Sequence, residues 1–378
     1  MKILIIGGMG IIGSAITEAS SNRGYDVYVL SRRPLSTHYR DLGVFGIQGD
    51  WKDDSFVSGI LKEGFDVIVD TLIFNPVELK RDMALINNRC TQFIFISTDA
   101  VYNHPALEVN EETGIDLSGL DWDYGHLKRE AELYLINNKE NYSFSWTVVR
   151  PTMTYGDKRV PVGFGSRKNE WTLIERIKEG KPVIDFDDGC THAACHTSTF
   201  GKAVTELYLN NNAYGEFYHI SDDKPIRYED VYQRIGEYYG TAPIVVKTAP
   251  DILKTLSPSK YTEMTYDKMP EFTLDNRKIK NIAPNVDYNV NIDNAIESEI
   301  SYLEETHSSL PEDSGFNILT DAILLSYRKM KLSNQQQRII EEYVSSLPPQ
   351  YISTLKKYVA KQKIKRIFRP IYTRLAKR

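Results

Sequence analysis

The chain has 378 residues, a formal net charge of −5, 41% hydrophobic side chains and 26% charged ones. That length allows two domains, and the balance is ordinary for a soluble globular protein. No stretch approaches the roughly 18 uninterrupted apolar residues that a membrane span needs, and three cysteines (Cys90, Cys190 and Cys195) do not make a disulfide framework. The charge is unevenly spread. From Lys356 onward stand ten Lys and Arg and no Asp or Glu, so the residues before it carry −15. An acidic body argues against a nucleic-acid-binding body. The N-terminus runs straight into an apolar stretch without a signal-peptide pattern, and a cytoplasmic location is expected.

In chain order, Ile3 to Ile6 is a short apolar run suited to a strand buried on both faces of a parallel sheet. Gly7, Gly10 and Gly13 follow at a spacing of three, and a helix is predicted from Ile11 to Asn22, with Gly24 closing it. A second strand, Val27 to Leu30, comes next. Strand, glycine turn, helix and strand make the first half of a dinucleotide-binding fold. The glycines serve a tight turn, close approach of backbone to pyrophosphate and close helix packing. The helix N-terminus, at Ile11, Ile12 and Gly13, offers free N–H groups and a partial positive charge to the phosphates.

After the second strand stand Ser31, Arg32 and Arg33, where an NAD-selective site places an acid and where Arg suits a 2′-phosphate. NADP(H) is therefore favoured over NAD(H); the plain alternative is two solvated arginines. A third strand is predicted over Val44 to Ile47, running into Gly49, Asp50 and Trp51. Next come a helix over Asp54 to Leu61, a strand over Val67 to Asp70, a helix over Leu79 to Asn88 and a strand over Phe93 to Ser97. Alternating strands and helices predict a Rossmann-type, doubly wound parallel α/β sheet. At the carboxyl end of that strand lie Thr98, Asp99, Ala100, Val101 and Tyr102, the edge at which such sheets bind ligands. Tyr124 and Lys128 are four apart, on one face of a predicted helix. Trp146 to Pro151 reads as another buried strand, leading into Met153, Tyr155 and Gly156.

These marks in this order resemble the extended short-chain dehydrogenase/reductase family of nucleotide-sugar epimerases, dehydratases and ketoreductases. They are Gly7 to Gly13, Gly49-Asp50, Ser97-Thr98-Asp99 before Val101-Tyr102, Tyr124 with Lys128, and Arg150-Pro151 with Tyr155-Gly156. The resemblance covers roughly residues 1 to 300. It implies that Asp50 meets the adenine amine with Trp51 nearby, and that Pro151 and Met153 lie beside the nicotinamide. It further implies that Thr98 fills the catalytic Ser/Thr position, Tyr124 is the acid/base and Lys128 its partner. Family members dimerise through a helix bundle, and a homodimer is implied here in the same way.

The chemistry of those residue types agrees. Hydride transfer at a sugar carbon requires a proton to move on or off the attached oxygen. A free phenol, titrating near about 10, is a weak base at neutral pH, and a lysine cation beside it favours the phenolate. Two departures bear on the reaction. Dehydratases of this kind carry a Glu after Thr-Asp, whereas this chain has Ala100, so 4,6-dehydration is not expected. Asp99 is either a substrate contact or a turn residue. His192 stands roughly where relatives place an Arg on the substrate diphosphate, and an imidazole is a poorer partner for it. Cys190, His192, Cys195 and His196 lack the paired spacing of structural zinc sites, and no metal is expected.

The domain reading is a dinucleotide-binding core over 1–156, a smaller mixed substrate region over 157–307 and a helical basic extension over 308–378. In the extension, 308–315 reads as a linker, Asn317 to Met330 as a helix, and Ser333 with Gln336 as a capping box. Pro348-Pro349 stops that helix, and Tyr351 to Phe368 repeats an amphipathic pattern. Three readings of the tail stay open: packing on an acidic face of the body or of a partner, a solvated end, and an anionic membrane surface. The functional expectation is an NAD(P)-dependent epimerase or ketoreductase acting on a sugar, nucleotide-linked. The alternative is a catalytically silent binding protein that uses the basic tail on RNA or protein.

Overall fold

The computed structural model describes residues 1–187, 189–307, 313–328 and 333–375, with side chains to 367 apart from that of residue 334. The chain runs β1 (Lys2–Ile6), α1 (Ile11–Asn22), β2 (Asp26–Ser31), the single-turn α2 (Thr37–Asp41), β3 (Phe45–Gln48), α3 (Asp54–Leu61), β4 (Phe65–Asp70) and α4 (Pro76–Ile86). Then come β5 (Cys90–Ile96), β6 (Ala106–Val109), α5 (Asp123–Asn138), β7 (Ser145–Pro151), β8 (Met153–Tyr155), α6 (Trp171–Lys178) and β9 (Val183–Asp185). β10 (Ala194–His196), α7 (Thr197–Glu206), β11 (Glu216–Ile220), α8 (Tyr228–Tyr239), β12 (Val245–Lys247), α9 (Leu253–Leu256) and α10 (Pro258–Glu263) follow. β13 (Phe272–Leu274), α11 (Arg277–Ile282), α12 (Ile292–Thr306), α13 (Ser314–Tyr327), α14 (Asn334–Ser346) and α15 (Pro349–Leu375) complete it.

Two compact units result. One comprises 1–157, 191–226 and 271–291; the other comprises 158–190, 227–270 and 292–378. In the first, seven strands form the expected parallel sheet in the order β11-β7-β5-β4-β1-β2-β3. The order reverses between β1 and β4, and a ligand crevice opens at the carboxyl ends of strands at such a point. Alternation along β1 explains both layers. Ile3 and Ile5 pack with Ile16, Phe200 and Val204 of α1 and α7, whereas Leu4 and Ile6 pack with Val57, Met83 and Leu135 of α3, α4 and α5.

Helix starts follow the caps. Asp53 accepts from the N–H groups of Ser55 and Phe56 at 3.1 Å to open α3. Asn75 accepts from Glu78 N–H at 2.9 Å, and Pro76 fills the first position of α4. That cap is why α4 begins at residue 76 rather than at the expected Leu79. β3 lies one residue later than expected.

In the second unit, β9 and β12 pair in parallel, and the C-terminal helices are tied to α6. Arg176, 2% exposed, donates to Asp321 of α13 at 2.8 Å and to the Pro182 carbonyl. Tyr343 of α14 and Tyr351 of α15 each donate to Asp321, both at 2.9 Å. Of the expected linker, residues 308–312 lie outside the described residues. Asp313 caps α13 by accepting from Phe316 N–H, so the helix starts at Ser314, before the expected Asn317. Ser333 caps α14 as the box signature implies, but the Gln336 amide donates instead to the Lys247 carbonyl at 3.1 Å.

Candidate active site

The glycine turn is built from backbone. Gly7 N–H donates to the Leu30 carbonyl, Gly10 N–H to the Gly7 carbonyl, and Ser14 N–H to the Gly10 carbonyl as the first bond of α1. The N–H groups of Ile11, Ile12 and Gly13 therefore precede the helical ladder, and no side chain caps them. A Cβ at Gly13 would lie 2.3 Å from the Gly7 carbonyl oxygen and 2.7 Å from Gly8 Cα, so only glycine lets α1 sit this close to the turn. At Gly10 the nearest atom to a Cβ is 3.7 Å away, which leaves the outer side of the turn open. An uncapped helix end beside an open, side-chain-free turn fits a dinucleotide pyrophosphate. Asp157 accepts from the Ser14 hydroxyl at the same helix end.

At the end of β2, the Ser31 hydroxyl donates to the Arg33 carbonyl at 2.5 Å and accepts from Arg33 N–H, which fixes a tight bend. Arg32 and Arg33 are exposed. A hollow of about 220 Å³ at the β2–β3 edge is lined by Arg33, Arg40 and Gln48 over Val29 and Leu35. Arg40, on α2, adds a third cation to the arginine pair; its signal in the sequence is its place seven residues after Arg33, in the short helix that follows β2. Asp50 is exposed, and its carboxylate accepts from Lys52 N–H. Trp51 is a core residue, 4% exposed among Leu4, Ile6 and Leu30, with the Arg81 guanidinium 5.6 Å from its ring centroid.

The chemistry-bearing groups converge at the end of β5. Ser97 N–H donates to the Val149 carbonyl, which ties the strand end to β7. Thr98, Asp99 and Ala100 are all buried. The Thr98 hydroxyl accepts from Ala100 N–H at 3.2 Å and lies 3.3 Å from Asp99 Oδ1, so it caps the turn Asp99–Val101. α5 passes this turn at Gly125, where a Cβ would lie 2.5 Å from the Ala100 carbonyl oxygen. Tyr124 in the first turn of α5 is half-buried, with its ring 5.2 Å from that of Trp122. Lys128, one turn on, is 2% exposed, and its ammonium donates to the carbonyls of Ile73 (2.5 Å) and Ile96 (2.9 Å). Burial lowers its pKa to about 8 against the opposing pull of Asp70, Glu132 and Glu78. Asp70 itself is fully buried at the end of β4, and burial together with neighbouring Asp82 holds its carboxyl well above the usual range.

Beneath these groups lies a buried ion pair whose carboxylate carries no role in the sequence reading. Glu132 accepts from Arg150 Nε (2.9 Å) and Nη2 (2.8 Å), from the Ser97 hydroxyl (2.7 Å) and from Arg129 (2.9 Å). Arg150 Nη1 donates to the Tyr102 hydroxyl at 2.6 Å. The signal for Glu132 is available: a strand arginine in an apolar run needs a buried carboxylate, and Glu132 lies four residues after Lys128 on the same helix.

Pro151 ends β7, and Met153 is 6% exposed in β8, which pairs with β10. His192 is 3% exposed, and its backbone exchanges hydrogen bonds with Ile226. Cys195 is fully buried. Among the described residues, no three His, Cys, Asp or Glu side chains converge to hold a metal ion.

Comparison with known proteins bears on the same residues. In sequence, an isoflavone reductase homolog of Solanum tuberosum is 36% identical over 80 residues, 19% of this chain and 26% of that protein. The chain thus matches only about a quarter of the length of such curated relatives. In structure, Pal from Bacillus thuringiensis superposes with a TM-score of 0.63 at 19% identity, covering 80% of this chain and 100% of that one. UDP-glucuronic acid 4-epimerase from Bacillus cereus, in complex with UDP-glucuronic acid and NAD, superposes with a TM-score of 0.63 at 20% identity, covering 81% and 99%. At such identities the likeness is one of fold. A sequence profile carries the assignment further, since that of the NAD dependent epimerase/dehydratase family matches residues 3–192, from β1 through the glycine turn, Thr98, Tyr124 and Lys128. The chain belongs to the NAD dependent epimerase/dehydratase family.

Proposed function

We propose that this protein is an NAD(P)-dependent enzyme that oxidises or reduces a carbon of a nucleotide-linked sugar, as a 4-epimerase or a ketoreductase. The observation that carries the reading is the placement of Tyr124 and Lys128 one turn apart on α5, held against the Thr98 turn by Gly125. The cofactor, when bound, supplies the hydride acceptor or donor. Its pyrophosphate falls to the N–H groups of Ile11, Ile12 and Gly13. Arg32, Arg33 and Arg40 suit a 2′-phosphate better than two ribose hydroxyls, which favours NADP(H).

In this reading Tyr124 moves the proton on or off the sugar oxygen, and the Thr98 hydroxyl hydrogen-bonds that oxygen. Lys128, as a cation, favours the tyrosinate electrostatically. Its present acceptors are two main-chain carbonyls, that of Ile96 at the end of β5 and that of Ile73 in the loop after β4, so its position is set by the main chain. Asp50, Pro151 and Met153 border the cofactor, and Asp99, Ala100 and His192 border the substrate. Ala100 provides no carboxylate to remove a proton beside a carbonyl, which favours redox chemistry without dehydration.

Calorimetry with NADP(H) and NAD(H) on the wild type, Arg32→Ala and Arg33→Ala tests the cofactor assignment. A preference for NADP(H) that the substitutions erase is the expected result. Tyr124→Phe should abolish turnover of UDP-sugars while keeping cofactor affinity. Failure to bind either dinucleotide overturns the reading.

A further inference from the structure

α15 has a seated face and an opposite, exposed face, and the seated face extends into its distal half, where Arg366 donates to the Thr255 hydroxyl at 2.7 Å. The first half is seated: Leu355 is fully buried, Tyr351 donates to Asp321 at 2.9 Å, and Tyr358 donates to the Leu256 carbonyl at 3.4 Å. At roughly 100° of rotation per residue, Ile364 points about 180° from Leu355 and Ile367 about 120° from it. Both are exposed, at 57% and 69%. The sequence continues this second apolar spacing through Phe368, Ile371 and Leu375. Lys361, Lys363 and Lys365 are exposed and fall on either side of the stripe. From Pro349 to Leu375 there is no Asp or Glu.

We propose that the distal half of α15, from Lys361 onward, is an in-plane anchor that docks this protein on an anionic phospholipid surface. The occupant must satisfy two features at once. A polyanion such as RNA would pair with the lysines but leave the isoleucines in water. A second copy of the helix would bring eight like charges to eight. An anionic bilayer takes the isoleucines into its acyl boundary and the lysines among its headgroups. The stripe faces away from the seated half, so it reaches the surface without unfolding. No helix among the described residues is long and apolar enough to cross a membrane, so attachment is peripheral. The acidic remainder of the chain is repelled by the same surface, which leaves the tail as the contact.

The test is flotation of the full chain with vesicles of phosphatidylcholine alone and of phosphatidylcholine mixed with phosphatidylglycerol. Binding to the mixed vesicles only, weakening as salt rises, is expected. Each lysine changed to Gln among Lys361, Lys363 and Lys365 should weaken it roughly fivefold, and all three on the order of a hundredfold. Ile364→Asp with Ile367→Asp should abolish it with the circular dichroism and melting temperature unchanged. Equal binding to neutral vesicles refutes the anionic assignment. Absence of vesicle binding refutes the proposal outright, and if the Ile pair variant then dissociates a dimer in sedimentation, the face belongs to a second copy. The lipid comparison needs no variant, so it decides the matter even if a substitution fails to fold.

Discussion

Glu132→Gln tests whether the Glu132–Arg150 pair holds the site together. Both side chains are out of water, at 0% and 2% exposure. The geometry leaves an amide no good orientation. Oε1 accepts from Ser97 and Arg150 Nε, and Oε2 accepts from Arg150 Nη2 and Arg129, so either flip sets an NH₂ against at least one arginine donor. The substitution also leaves the Arg150 cation buried without its anion, and breaking such a pair costs about 3–5 kcal/mol. That is a fifth or more of a typical domain's stability of roughly 5–15 kcal/mol. Arg150→Met should cost less, because Ser97 and the quarter-exposed Arg129 still serve the carboxylate. In the double variant Glu132→Leu/Arg150→Met neither charge is stranded, and the loss should fall short of the summed losses of Glu132→Leu alone and Arg150→Met alone by at least about 2 kcal/mol. Urea unfolding monitored by far-UV circular dichroism gives these differences, with hydrogen exchange in β5 and β7 reporting the first unit alone. A cost for Glu132→Gln under about 1 kcal/mol, or strict additivity in the double variant, would refute the reasoning.

Other outcomes follow from single residues. Gly13→Ala drives a methyl into the Gly7 carbonyl and Gly8 Cα, both main chain; it should cost about 1–3 kcal/mol and abolish dinucleotide binding by calorimetry. Lys128 loses its charge as pH rises through about 8, so kcat/KM should fall on the alkaline side with an inflection near that value; one near 10.5, the ordinary lysine value, would show the burial to be inconsequential. Glu170 is pushed up to about 7, chiefly by burial, and its Oε2 makes no hydrogen bond. The folded protein therefore holds that proton where the unfolded chain releases it, and loses stability as pH climbs from about 4.5 to about 7. Glu170→Gln should match the wild type in acid and exceed it above pH 7 by at most about 3 kcal/mol. A stability difference that does not vary with pH would contradict this.

What could be read from the sequence was local and periodic. Ile3 to Ile6, the three glycines and the predicted helix from Ile11 sit within one supersecondary unit, where spacing and turn chemistry act over a few residues. Elements beyond its reach depend on distant partners. β8 and β10 are three residues each and exist because Met153 to Tyr155 lies beside Ala194 to His196; no three-residue pattern announces that. Trp51 shows the same limit at the site. Its place after Asp50 suggests a neighbour of the adenine, but the strand faces that turn it among Leu4, Ile6 and Leu30 are set by the sheet.

The C-terminal region separates two kinds of information in one helix. Periodicity found an amphipathic pattern in Tyr351 to Phe368, yet a pattern names a face without naming what covers it. The seated face is decided by Asp321, a buried anion that Arg176, Tyr343 and Tyr351 approach from three other helices. No local rule relates residues 176, 321, 343 and 351. The opposite face, at Ile364 and Ile367, has no such partner among the described residues, and there the sequence carries the remaining argument: apolar spacing and lysines without a single acid. The first half of α15 is thus explained by packing, which sequence hides, and the second by composition, which it displays. If the distal face were simply surplus to packing, selection for solubility would favour polar residues at 364 and 367. Isoleucines there, flanked by lysines, are what an interfacial helix requires.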